Sequence, residues 1–216
     1  MEPKLLSVEK IVTIVGDKID SENQGCQSYV NFYKIAQKDI DVIKNEIDID
    51  IDIETDIIVK KQFITSDGVA EKEKGGKKGQ YNREKQMLLK LQHDSHFPTI
   101  LCVDDETTTI YMTYCGNRIK NEENNIPNNW KEQIREILST LQKNKIYNND
   151  MWIENYLIKD GIIYLIDFGW ATMDNEDYPY INITEKDLQE HDDLFKLLDI
   201  VFKRITRRRK KFDKRL

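Results

Sequence analysis

The 216-residue chain predicts an α+β fold in two lobes, a small antiparallel-sheet lobe followed by a reduced, mainly helical one. Three observations predict it. Strand-like apolar runs crowd the first third, one helical stripe interrupts them, and helical patterning dominates the end. The length suits one compact domain or two small lobes. The boundary is expected after Tyr114, which gives residues 1–114 and 115–216.

Each element has its own signal. Residues 5–15, 28–35 and 56–64 are apolar enough for strands. Between the last two lies EIDIDIDIE, where Ile47, Ile49, Ile51 and Ile53 alternate with acids. That period of two predicts a strand with a solvated acidic face. TSDGVAEKEKGGKKGQ, residues 65–80, reads as a glycine-rich charged loop. Residues 81–91 follow as a helix with Met87, Leu88 and Leu91 on one face. Short strands are expected at 99–103 and 109–114. A polar linker then leads to a helix over 130–143, striped by Ile134, Ile137, Leu138 and Leu141. Lys159-Asp160-Gly161 between two apolar runs signals a hairpin. A last helix is expected over 184–206, with Thr184 and Asp187 as a capping box.

Composition narrows the classes. Hydrophobic residues make up 39% and charged residues 33%, with a net charge of -6. No apolar run approaches the roughly 18 residues of a membrane span, and no secretion signal opens the chain. Cys26, Cys102 and Cys115 stand far apart, without metal-ligand spacing. His93, His96 and His191 also lack that spacing and read as surface or loop residues. Trp130, Trp152 and Trp170 read as packing residues. The end of the chain, RITRRRKKFDKRL, is strongly basic. Heavy use of Ile, Asn, Lys and Asp is common in AT-rich genomes, including those of some parasites and large DNA viruses.

The chemistry concentrates in IYNNDMWIENYLIKDGIIYLIDFGWAT, residues 146–172. Asp150 and Asn155 fall in a turn between a helix and a hairpin, and Asp167 follows the second hairpin strand. Polar groups at element ends can be aimed by a rigid scaffold. Phosphoryl transfer needs such a set: two oxygen ligands for Mg²⁺ and one carboxylate for the attacking hydroxyl.

On these residues the segment resembles the catalytic loop, hairpin and DFG turn of the protein-kinase superfamily. The resemblance implies a two-lobed protein-kinase-like fold that takes ATP and Mg²⁺. It makes Asp150 the catalytic-loop aspartate, with Asn155 and Asp167 as metal ligands. Ile57-Ile58-Val59-Lys60 resembles the V-A-I-K strand, so Lys60 becomes the phosphate-pairing lysine, with Lys61 as the competing choice. Glu84 resembles the helix glutamate that pairs with that lysine. Ile58 would lie over the adenine, and Met112, Thr113 and Cys115 would belong to the last small-lobe strand and the hinge.

Departures from the pattern are informative. The best register for the glycine-rich loop is Asp20-Ser21-Glu22-Asn23-Gln24-Gly25, which keeps only Gly25 and brings two acids towards the phosphates. Asn148 and Asn149 replace His-Arg, so a partner for an activation-loop phosphate is missing. Trp152 stands where serine/threonine kinases place a lysine. No A-P-E follows, and too few residues remain after Gly169 for a full large lobe. The truncation is similar to small atypical kinases such as the RIO kinases and the small kinase of the KEOPS complex. Asp193 matches either the aspartate that braces the catalytic loop or a helix N-terminal charge.

The favoured expectation is an atypical serine/threonine protein kinase. A phosphotransferase for small molecules and a non-catalytic, pseudokinase-like binding module are the alternatives. A protein substrate is the expected partner. RNA or an acidic protein is a second candidate for the basic end, and no membrane is expected. The expected compartment is intracellular and cytoplasmic, or the host cytoplasm for a viral chain.

Overall fold

The computed structural model describes residues 4–24, 28–47, 56–64, 77–173 and 183–213. The chain divides into two compact units. One comprises residues 1–93 and 98–114, the other residues 94–97 and 115–216.

The first unit opens with helix α1 (Val8–Ile14), where a strand was expected. Ser7 caps it, its hydroxyl accepting from the Lys10 N–H at 3.3 Å. Ile11 and Ile14 are buried three residues apart while Val8 and Val12 stay exposed, which is a helical spacing. A β-rich composition masked that spacing. Only Leu6, just ahead of the helix, bonds as a strand would, its N–H donating to the Leu101 carbonyl at 2.8 Å.

Strands β1 (Lys18–Gln24), β2 (Ser28–Lys34), β3 (Ile57–Phe63), β4 (Ile100–Asp104) and β5 (Thr109–Thr113) form an antiparallel sheet in the order β1-β2-β3-β5-β4. Helix α2 (Gln37–Glu46), which the sequence did not announce, follows β2 and buries Ile40 and Ile43. Ile47 is its C-cap residue, and the rest of the alternating acidic run lies outside the described residues. Leu6, Ile11, Ile40 and Ile43 pack with Ile58 and Tyr111 in one core. Ile11, Ile43 and Ile58 are at most 1% exposed, and burying each such side chain contributes about 1.5–3 kcal/mol. Helix α3 (Lys77–Leu91) begins four residues before the expected helix start at Tyr81. Its Tyr81 ring meets Phe63 edge-on at 5.7 Å. Phe63 has the opposite parity from Ile58, so α3 covers the other face of the sheet.

In the second unit, Asn117–Arg118 forms β6 and Trp130–Lys143 forms α4, which buries Ile134, Ile137 and Leu141. Gly116 precedes β6 at φ 91°, and a Cβ there would stand 2.0 Å from the Ile158 carbonyl oxygen, so only glycine fits. Strand β7 (Ile146–Tyr147) and strands β8 (Tyr156–Lys159) and β9 (Ile162–Leu165) follow. The β8–β9 hairpin turns through Asp160 and Gly161 at φ 52° and 77°, as the Asp-Gly pair predicts. β10 (Thr172–Met173) pairs with β7, while β6, β8 and β9 form a separate sheet.

The expected last helix is two helices, α5 (Glu185–Glu190) and α6 (Leu194–Asp213). The Thr184–Asp187 capping box is present. The break follows from Asp193, whose carboxylate accepts from the Lys196 N–H at 3.2 Å and starts a new helix. Arg204 then clasps Asp187 with two bonds of 2.6 and 3.0 Å. Hydrogen bonds from Arg204 and Thr184 hold the Asp187 carboxyl far below the usual carboxylate range. His96, expected at the surface, is 5% exposed. Its ring joins the Ile163 carbonyl at 2.7 Å and Glu136 at 2.9 Å, fixing residues 94–97 to β9 and α4. Among the described residues, no helix is long and apolar enough to cross a membrane.

Candidate functional site

In the first unit the notable pair is Lys61 with Glu84. The ammonium of Lys61 meets both oxygens of Glu84, at 2.9 and 2.7 Å. Both side chains are almost wholly buried, at 5% and 2% exposure for the residues. A buried charge persists only when it is paired. Removing one member of such a pair costs about 3–5 kcal/mol.

This pairing corrects two expectations. Glu84 takes Lys61 rather than Lys60. Lys60 and Ile58 do share a face, as their spacing requires, but Ile58 lies in the core built with α1 and α2. Lys60 extends over the Tyr111 ring, 5.6 Å from its centre. Val59 and Lys61 occupy the opposite face, the one α3 covers. Ile58 is therefore no lid over a ligand, and Val59 holds the position two before the paired lysine. The shared parity of Ile58 and Lys60 holds, but helices α1 and α2 fill the face that these two residues occupy.

Met112 pairs across the sheet with Val59 and shares its face. Thr113 is committed to Thr99. Its N–H donates to the Thr99 carbonyl, and its hydroxyl accepts from the Thr99 N–H, both at 3.0 Å. Cys115 is buried in the second unit and is not in a disulfide. The assumed glycine-loop register begins in β1. Residues 20–24 are strand, with Asp20 opposite Phe32 and Glu22 opposite Val30. That run contains no glycine or proline to break the pairing. Asp20 is exposed and accepts from the Ser21 N–H at 2.7 Å. Gly25 lies outside the described residues.

In the second unit the polar set gathers around the turn between β7 and β8. The Asn155 Nδ2 donates to the Asp150 carbonyl at 2.7 Å and to its Oδ2 at 3.1 Å. With Nδ2 so committed, the amide oxygen is the atom left to serve as a ligand. The Trp152 N–H donates to the Asp150 carbonyl, and the Asn155 N–H to the Trp152 carbonyl, both at 2.8 Å. Arg118 and Lys120 both donate to Glu154, at 2.6 and 2.5 Å, and pin the residue before Asn155.

Asp167 is tied to the same turn. The Ile166 N–H donates to the Asn155 carbonyl at 2.9 Å, so the residue before Asp167 is bonded to the candidate ligand. Asp167 adopts φ 63°, a left-handed backbone that costs a non-glycine residue about 1–2 kcal/mol. Its Oδ1 accepts from the Gly169 N–H at 3.3 Å. Phe168 is fully buried, packed on Phe97 at 6.0 Å, and anchors the turn from behind. Strain held in place by packing is typical of positions that aim a functional group.

Sequence reasoning missed Asn148 and Asn149 as structural parts. The Asn148 Oδ1 accepts from the Asp150 N–H at 2.8 Å. Asn149 bonds to Trp170 and Thr172. Trp130 is buried, as expected of a packing residue. Trp152 is 42% exposed and stacks on Phe202 at 4.6 Å, while Trp170 is 37% exposed. Asp193 serves as the cap of α6.

Asn155 and Asp167 offer hard oxygen donors. Among the described residues, no group of three or more His, Cys, Asp or Glu side chains gathers as a metal site. Two protein ligands still suit Mg²⁺, which keeps several waters and completes its shell with substrate phosphates.

Scans against protein-family models and curated proteins return no match for this chain.

Proposed function

We propose that the chain is a phosphotransferase of the protein-kinase-like type, using ATP with Mg²⁺ and phosphorylating protein hydroxyls. The observation that carries the reading is the bonded series Asp150–Asn155–Ile166–Asp167, ending in a left-handed aspartate before Phe-Gly. Asp150 orients the acceptor hydroxyl and receives its proton. Asn155, turned by its bond to Asp150, and Asp167 hold the metal, which when bound offsets phosphate charge. In the first unit, Lys61 supplies a cation for the phosphates and Glu84 keeps it extended and charged. Phosphoryl transfer leaves little covalent work to the protein beyond such positioning and charge.

A thermal-shift titration with ATP tests the reading. ATP with Mg²⁺ should raise the melting temperature as RT ln(1+[L]/Kd) requires for a ligand of the folded state. Asp167→Ala should remove the Mg²⁺-dependent part of that rise. No response to ATP at millimolar concentration, with or without Mg²⁺, would sink the proposal.

A further inference from the structure

Resting on the phosphotransferase reading, we infer that Asn149 is a positioning residue, which ties the Asp150 turn to the segment after Gly169 through a neutral amide. The Asn149 Nδ2 donates to the Trp170 carbonyl and to the Thr172 hydroxyl oxygen, each at 3.1 Å. One –NH₂ has two hydrogens, and these two bonds use both. The donor residue is 3% exposed and Thr172 is 5% exposed, so water competes little for either.

The bonds extend a connection the backbone already makes. Tyr147 faces Thr172 and Ile146 faces Met173 across the β7–β10 pair. Asn149 directly precedes Asp150, and Asn148 accepts the Asp150 N–H at 2.8 Å. The backbone at Asp150 is thereby held by two adjacent amides, one turned inward to it and one outward to β10.

Charge matters to this arrangement. A buried cation at position 149 would need an anion to pair with it. An amide satisfied by a carbonyl and a hydroxyl needs none. Asp150 is accordingly aimed by bonds present in the unmodified chain, with no phosphate required to complete them.

Three variants of the full chain test this. Asn149→Asp keeps the side-chain shape and removes both donors. Thr172→Val removes one acceptor at similar volume, and Thr172→Ser retains it. Amide hydrogen exchange should rise about five- to tenfold at residues 146–150 and 171–173 in Asn149→Asp, the worth of about one hydrogen bond. Its kcat should fall about 10- to 100-fold through misplacement of Asp150, with KM for ATP changed less than about twofold. Thr172→Val should fall between it and the parent, and Thr172→Ser should match the parent. Phosphatase treatment of the parent chain should leave its turnover unchanged.

Parent-like exchange and kcat in Asn149→Asp would overturn the role. So would turnover lost on phosphatase treatment. If Asn149→Asp does not fold, Thr172→Val decides. Faster exchange confined to the two stretches supports the anchor, and a uniform rise across the second unit overturns it. An exchange response in a chain without ATP turnover would overturn the phosphotransferase reading and the positioning role together. Silent exchange in a chain that turns over ATP would overturn the positioning role alone.

Discussion

The first unit sets its polar pair in the middle of regular elements, Lys61 on a sheet strand and Glu84 on a helix, both buried. The second unit sets its polar groups at element ends, in a turn after β7 and another after β9. The two solutions hold charge in different ways. Lys61 and Glu84 satisfy each other by direct ion pairing at 2.7 Å. Asp150, Asn155 and Asp167 are held by backbone bonds and by one left-handed residue. A buried pair fails when either partner goes, whereas a turn can lose a side chain and keep its shape. Mutations should therefore separate stability from chemistry in the second unit and confound them in the first.

The largest expected effect concerns chemistry in the second unit. Asp150→Asn should cut turnover by about 10²- to 10⁴-fold, the usual worth of a group that handles the proton. The melting temperature and ATP affinity should change little. Steady-state kinetics beside thermal melts would check both halves, and a collapse of stability would erase the distinction between the units.

In the first unit the effect should be on stability. Glu84→Ala leaves the Lys61 charge buried and should cost about 3–5 kcal/mol. Glu84→Leu with Lys61→Met should recover most of that loss. Urea denaturation of the three proteins would reveal it. Equal destabilisation by the single and the double variant would mean that the pair is not what holds this region.

A smaller difference probes the strained turn. At φ 63° glycine is unstrained, so Asp167→Gly should be more stable than Asp167→Ala by about 1–2 kcal/mol. Both should lose the Mg²⁺-dependent part of nucleotide binding. The reverse order in chemical denaturation would show that the backbone there is at ease without glycine.

The smallest effect appears only in acid. The Asp187 carboxyl is held low in the folded chain, chiefly by Arg204. A carboxyl lowered on folding contributes stability in full above its unfolded pKa, about 4, and loses it as pH falls towards the folded value. Melts from pH 7 to pH 2 should therefore decline less steeply in Asp187→Asn than in the parent below about pH 4. Parallel curves would place the acid sensitivity elsewhere.

The same contrast explains what could be read from the sequence. In the second unit the informative spacings are local. Asp150 and Asn155 share one turn, Asp160-Gly161 makes its hairpin, and Thr184 with Asp187 caps α5. These depend on neighbours within a few residues, which a sequence displays directly. The helix break at Asp193 was less visible, since apolar periodicity runs on through Leu194 and Leu197. In the first unit the lysine could not be chosen locally. Lys60 and Lys61 lie on opposite faces, and which face meets α3 depends on α1 and α2 filling the other. Asn148 and Asn149 were read only as missing charges. The Asn149 bond to a strand more than 20 residues on is non-local, beyond the reach of spacing, whereas the Asn148 bond to Asp150 spans two residues and is a local turn signal.

The proposed function stands or falls most directly on the lysine, which it takes to be Lys61 and not Lys60, since Lys61 is the one paired with Glu84. Transfer of labelled γ-phosphate from ATP to the chain itself and to a mixed protein acceptor should be measured for the parent, Lys60→Met and Lys61→Met. The account predicts that Lys61→Met loses about 100-fold or more in rate per folded molecule, the folded fraction being read from a thermal melt and the loss persisting in the restabilised Lys61→Met with Glu84→Leu, while Lys60→Met stays within about threefold of the parent. Loss in Lys60→Met with Lys61→Met active would contradict it.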